Sequence, residues 1–479
     1  MNYIQHFILN FKINTQSTAR LFKKVAPVFI LFFLISFVYH ILRCLKITLI
    51  VKASSSGAEA IPFLKFWFIM PSAILFTAFY VSLAKRPNRK VLIYSILGIF
   101  SAFFLIFMTF LYPNKEILYL KCFSDLLSNY LPKNLHGIIP VLYHWPETLF
   151  YVMAEMWSII VLSILFWGFC NEITKLEDAK RFYALIALGA NCAGICSGQF
   201  MQAVSNFITN SWSESITIFL TTVIISCVLI VIIFIKLDKP NLQNIQNIQN
   251  FKTNKISFAE SLRYIFKYKY IALLAIMVLG YNIVFNLADV LWIGQVNQRF
   301  HSHNELNNYL AQLDSLVGVF SLIIGLFIFS NLINKFGWKI TALVPPIVWL
   351  TTSLCLYIVL FTESFAGVEL NNLILVLGTL QIAIGKAVKY CIFDQIKEIT
   401  FIPLSIEHQR NSKAVIDGII SRVGKSGSSI ILQGFLIFGV SEIITITPII
   451  ASIIIITIFA WIHATNKMGG LIAEQKYLS

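Results

Sequence analysis

A small set of ionisable side chains falls inside long apolar stretches of this chain of 479 residues: Arg43 and Lys46, Glu155, Asp289, and the trio Asp417, Arg422 and Lys425. An ionised group at the centre of a bilayer costs at least about 3 kcal/mol on insertion scales, so each needs a counter-charge or a ligand. Arg43 and Lys46 are three apart and share a helical face, which lets both project into a bundle. Asn282, Asn286 and Asp289, at spacings of four and three, form a polar stripe on one face. Clustered cations of this kind suit an anionic ligand held by charge-assisted hydrogen bonds. Glu155, flanked by Met153 and Trp157, calls for a cation beside it to remain ionised. Hydrolytic chemistry is not indicated. The triplet Gly424-Lys425-Ser426 looks like the end of a phosphate-binding loop, but Ile419 stands where the first glycine is required and no strand precedes it. No catalytic His/Asp or metal-ligand cluster is evident, and the eight cysteines contain no CxxC pair, so neither an enzyme nor a cofactor nor a metal is expected.

The elements that must position these groups follow from composition. The chain is 58% hydrophobic and 12% charged, about half the charge of a soluble surface. Apolar stretches of about 20 residues recur, each long enough to cross a hydrocarbon core as a helix. Windows such as 449–458 lack the alternation of a barrel strand. Spans are expected near 26–50, 63–84, 91–112, 146–169, 182–208 and 215–235, then near 270–295, 309–333, 340–361, 370–389, 412–438 and 443–463. The sequence thus predicts an all-α integral membrane protein with twelve transmembrane helices in two six-helix halves. The halves run 1–240 and 263–479, joined by a polar linker, 241–262, that is rich in asparagine and glutamine. This is a major-facilitator-like layout, whose site lies between the halves near the midplane. Lys46 and Asp289 then sit at matched depth in the first helix of each half, as two-fold-related positions of opposite charge across a central cavity.

The net charge of +15 is spread through short links rather than gathered on one face, which argues against a nucleic-acid partner. Lys23, Lys24, the cluster Lys85, Arg86, Arg89 and Lys90, and then Lys175, Lys180 and Arg181 fall on alternate links, placing both termini in the cytoplasm. Small residues crowd the fifth span, with Gly189, Gly194 and Gly198, and the eleventh, with Gly424 and Gly427, and should allow close helix approach. The longest outer link, 112–144, is punctuated by prolines, and its fold is left open.

With these residues in place, the sequence resembles the nucleotide transporter family, the ATP/ADP translocase type of intracellular bacteria and plastids. The stretches that carry the resemblance are Leu42-Arg43-Cys44-Leu45-Lys46, Ala154-Glu155-Met156-Trp157, and the run from Asn286 to Trp292. To these are added Lys389 to Asp394, Ile402-Pro403-Leu404, and Lys413 to Gln433 with Gly424-Lys425-Ser426-Gly427 intact. The resemblance implies an antiporter in a bacterial inner membrane that exchanges nucleotides by alternating access. It also implies that Lys46, Glu155, Asp289 and one of Lys389 or Lys397 occupy charged positions needed for transport. The chain departs from the family pattern in having Ile47 for an acid, Asp289 for a glutamate and Gln395 for a proline. The expected substrate-binding set is Arg43, Lys46, Glu155, Asn282, Asn286, Asp289, Lys389, Lys397, Arg422 and Lys425. The alternative is a proton-coupled facilitator for a different anionic solute, with Glu155 or Asp289 carrying the proton.

Overall fold

The computed structural model describes residues 15–53, 57–84, 89–131, 137–167, 169–170, 179–208, 211–237, 267–366, 370–401, 403–404, 412–413, 415–438 and 443–476. The expected linker, 241–262, lies outside them. The described chain is helical, with no strand among the described residues, because a helix satisfies its backbone hydrogen bonds without help from lipid.

Twelve long helices are found among the described residues. In the first half they are α1 (Thr15–Val51), α2 (60–84), α3 (89–111), α4 (Trp145–Phe166), α5 (Ala179–Phe207) and α6 (Trp212–Leu237). The second half has α7 (Lys269–Arg299), α8 (His303–Ile328), α9 (Phe329–Ala366), α10 (Asn371–Phe401), α11 (416–437) and α12 (Thr447–Lys476). Ten of them are long and apolar enough to cross a membrane. The helices at the fifth and eleventh places, α5 and α11, are the ones rich in glycine and serine.

Several boundaries differ from the sequence expectation. α8 starts at His303 because Ser302 caps it: the Ser302 hydroxyl accepts from the Glu305 N–H at 3.1 Å, and the Glu305 carboxylate accepts from the Ser302 N–H at 3.3 Å. The link expected between the eighth and ninth spans is only a kink at Gly337, inside α9, whose φ of 72° suits glycine, with helix on both sides. α10 runs on through a π-helical turn, Lys389–Phe393, to Phe401, so Lys389 and Lys397 lie within that helix rather than beyond it. The outer link folds as three short helices, Lys115–Leu118, Lys121–Tyr130 and Ile139–Tyr143. It is tied to α4 where the Trp145 indole donates to the Leu118 carbonyl at 2.7 Å and the Tyr119 hydroxyl donates to Glu147 at 2.8 Å. Burial, with the Glu147 carboxylate beside it, pushes the Tyr119 phenol above its ordinary range and keeps it a donor.

Packing repeats between the halves. α1 lies against α4, α5 and α6, and α7 lies correspondingly against α10, α11 and α12. The halves meet through α5 on α8, α1 on α8, and α2 on α11. Lipid supplies no hydrophobic drive between helices, so close backbone approach through small residues has to hold these seams. At α5–α8, a Cβ on Gly198 would overlap the Ser315 hydroxyl and lie 2.5 Å from the Ala311 carbonyl oxygen. One on Gly318 would lie 2.8 Å from the Asn191 carbonyl oxygen. In the same way a Cβ on Gly424 of α11 would lie 2.7 Å from the Asn282 Cβ of α7.

One end of the bundle is sealed by bonds that cross between the halves. The Lys52 ammonium donates to the Asn297 carbonyl at 3.1 Å and to that of Phe300, and the Asn304 amide donates to the Ile208 carbonyl at 3.2 Å. The Trp212 and His303 rings stack at 5.4 Å. Gln433 of α11 donates to the Pro62 carbonyl at 2.8 Å and accepts from the Trp67 indole at 3.3 Å. At the opposite end the ion pairs Lys389–Asp394, Lys397–Asp417 and Lys413–Glu398 stay within the second half. The seam at α5–α8 yields a direct expectation. Gly198→Val overpacks it and should cost about 1–3 kcal/mol, lowering the thermal unfolding temperature of the detergent-purified protein. Gly427→Ala, where an added Cβ meets nothing within 4 Å, should leave it unchanged. Equal melting of both variants and the wild type would show that the seam is loose.

Candidate functional site

Between the sealed end and the opposite end, charged side chains from both halves form a layer carried by α1, α4, α7 and α10. In the first half the Lys46 ammonium of α1 forms an ion pair with Glu155 of α4 and lies 4.9 Å from the centre of the Tyr151 ring. Lys46 is therefore the cation that Glu155 calls for. In the second half Asp289 of α7 faces the Lys386 ammonium of α10 at 3.7 Å, and that ammonium stands 5.5 Å from the Phe285 ring. Since α1 corresponds to α7 and α4 to α10, the two halves carry the same ion pair with its polarity reversed. Lys46 and Asp289 do sit on equivalent helices, but each takes its partner from its own half rather than from across the cavity.

The second pair is incompletely satisfied. Asp289 Oδ1 and Lys386 Nζ are buried, and neither has a hydrogen-bond partner. A buried charge at this separation retains attraction but forgoes hydrogen bonding, which leaves it ready to take another partner. The stripe above it is better satisfied. Asn282 donates to the Val278 carbonyl and Asn286 to the Asn282 carbonyl, each at 2.8 Å, while Asn286 Oδ1 accepts from the Lys65 ammonium of α2 at 2.9 Å.

Arg43 is committed elsewhere than to the centre of the layer. It forms an ion pair with Asp314 of α8, a carboxylate whose side chain is 2% exposed. The same carboxylate meets the His40 ring at 3.0 Å and accepts from the Cys44 thiol at 3.6 Å. Three residues one helical turn apart on α1 thus converge on one acid in the other half. By contrast Lys425 is open to solvent yet feels the charges of Glu155, Lys389, Lys65 and Lys46. That combination places it on the wall of a central space rather than against lipid. Arg422, one turn away, is exposed. Lys389 pairs with Asp394 at 2.9 Å, and Lys397 pairs with Asp417 at 2.6 Å, nearer the opposite end.

The residues that sequence reasoning did not single out are His40, Lys65, Asp314 and Lys386. Lys386 and Asp314 fell near the edges of their expected spans, where a charge can snorkel to the interface. The longer helices seen here move both inward. Lys65 sits in a π-helical turn, Leu64–Ile69, and such turns recur beside the other charges, at Trp157–Phe166 after Glu155 and at Ile416–Ile420 before Arg422. Turns of this kind often accompany functional sites.

An interior of this sort can hold a solute of opposite charge between two ends that close in turn, and it defines a multi-pass membrane carrier. A sequence model of the TLC ATP/ADP transporter family matches residues 16–471, and the chain belongs to that family. It is 36% identical to ADP,ATP carrier protein 1 of Chlamydia trachomatis, over 94% of this chain and 88% of that one. It is 33% identical to the chloroplastic ADP,ATP carrier protein 1 of Arabidopsis thaliana, over 94% of this chain and 74% of that one. Among solved structures the fold matches a bacterial homologue of the iron transporter ferroportin in an inward-facing state. The TM-score is 0.61 at 11% identity, covering 94% of this chain and 99% of that one.

The commitment of Arg43 to Asp314 is directly testable. Asp314→Asn strands a buried guanidinium and should cost about 3 kcal/mol, read as a lower unfolding temperature in detergent. Adding Arg43→Gln to that variant should recover part of the loss. An unchanged melting curve for Asp314→Asn would mean that the pair does not join the halves.

Proposed function

We propose that this protein exchanges ATP and ADP across a bacterial inner membrane by alternating access. The observation that carries this reading is the charge of the central layer. Lys46 and Lys386 each have a single carboxylate partner, and Lys425 has none within ion-pair distance among the described residues. A nucleoside polyphosphate brings several negative charges that compete with Glu155 for Lys46 and with Asp289 for Lys386, and it meets Lys425 directly. Membership of an ATP/ADP transporter family supports nucleotides as the anions.

On this reading both termini are cytoplasmic, all twelve long helices span the bilayer, and the halves 1–240 and 263–479 rock about the segment 241–262. The sealed end is then external and the central layer is reached from the cytoplasm. Arg43 and Asp314 join the halves in this conformer and part when the external end opens. Asn282 and Asn286 position the α7 face, Arg422 and Lys389 line the approach, and Lys397 braces the cytoplasmic ends of α10 and α11. Without substrate, the surplus cations disfavour the occluded state through which the halves must pass, since like charges repel strongly in a low dielectric. Net movement is therefore slow and one-for-one exchange is fast.

The purified protein in vesicles preloaded with ATP tests this. External ADP should drive rapid efflux of labelled ATP, efflux into nucleotide-free buffer should be slow, and a protonophore should barely change the exchange rate. Rapid efflux into empty buffer that follows the proton gradient would contradict exchange.

A further inference from the structure

Two cations of the central layer stand apart from the rest. Arg43, Lys46, Lys386 and Lys389 each face a carboxylate, whereas among the described residues neither Lys65 nor Lys425 has one within ion-pair distance. Lys65 is held by the neutral Asn286 Oδ1 at 2.9 Å. An ammonium has three donors, and this acceptor takes one. Asn286 also spends its own N–H on the Asn282 carbonyl, which fixes the amide so that its oxygen faces the lysine.

The two lysines belong to α2 and α11, the helices through which the halves touch on the side away from α5–α8. The turn that carries Lys65 packs on α11, where the Trp67 indole reaches Gln433 at 3.3 Å and the Ser426 hydroxyl lies 3.9 Å from the Met70 sulfur. Lys65 and Lys425 are close enough to feel one another's charge. The small residues beside Lys425 keep that wall open, and an added Cβ on Gly427 would meet nothing within 4 Å. Two unneutralised ammonium groups, one from each half, thus flank a space bordered by small residues.

From this arrangement we infer that Lys65 and Lys425 form a clamp for the distal phosphates of the substrate, one lysine supplied by each half. This rests on the carrier reading and adds a residue and a selectivity to it. A chain of phosphates has non-bridging oxygens enough to bridge the two ammonium groups, replacing the acid that neither lysine has. A single phosphate is shorter and has fewer oxygens, so it bridges the two ammonium groups less completely than a chain of two or three. The clamp therefore selects by phosphate number.

The test is exchange of labelled ATP, ADP and AMP by vesicles containing wild-type protein, Lys65→Gln or Lys65→Arg, together with inorganic tripolyphosphate as competitor. Lys65→Gln should weaken the apparent affinity for ATP by roughly tenfold, as expected for one charge-assisted hydrogen bond, weaken it less for ADP, and leave AMP unchanged. Lys65→Arg should restore the preference for longer chains. Tripolyphosphate should compete with ATP on the wild type far better than orthophosphate does, a result that requires no variant to fold. An unchanged ATP-to-AMP preference in Lys65→Gln, or tripolyphosphate no better than orthophosphate, would overturn the clamp while leaving the carrier reading standing. Wild-type vesicles that exchange no nucleotide would overturn the carrier reading itself.

Discussion

A charge in a lipid interior cannot be left to water, and the arrangement of this bundle follows from how each of its charges is answered. Lys46 is answered by Glu155 within the first half, and Asp289 by Lys386 within the second. Arg43 is answered across the halves by Asp314. These three pairs do different work. On the proposed reading, the pairs inside each half are loosened by a competing anion without separating the halves, while the pair between halves breaks when the sealed end opens. Among the described residues Lys65 and Lys425 have no carboxylate within ion-pair distance, so on the proposed reading the imbalance that makes the empty layer costly also defines what fills it.

Bringing such charges together depends on packing that uses almost no side chain. Gly194, Gly198 and Gly318 let α5 and α8 approach until backbone meets backbone, and Gly424 does the same for α11 against α7. These contacts have few intermediate arrangements, because interiors packed at this density switch between discrete states rather than deform smoothly. Seams of small residues can separate and re-form with little rotamer cost, which suits halves that must part on one side while closing on the other. The Ser302–Glu305 capping box and the Lys52 bonds at the sealed end fix where the rigid helices stop.

Much of this was legible in the sequence. Apolar runs of bilayer length gave the helices, and the glycines of the fifth and eleventh runs marked the close contacts, because each is a local consequence of lipid as solvent. Lys46, Glu155 and Asp289 stood out for the same reason. Their pairing did not, since choosing Lys386 over Lys389 for Asp289 requires the phase of α10, and a helix that runs to Phe401 moves Lys386 inward. Asp314 and Lys65 were hidden by their closeness to expected span ends, where a charge is ordinarily unremarkable. The short helices of the outer link are held by tertiary bonds such as Tyr119 to Glu147, which no local pattern specifies.

The central claim is that unneutralised positive charge in the middle of the bundle is what binds the solute. The most direct measurement is equilibrium binding of adenosine, AMP, ADP and ATP to the purified protein at several ionic strengths. The account predicts affinity that rises with each added phosphate and falls as salt is raised. Adenosine binding as tightly as ATP, or ATP binding indifferent to salt, would contradict it.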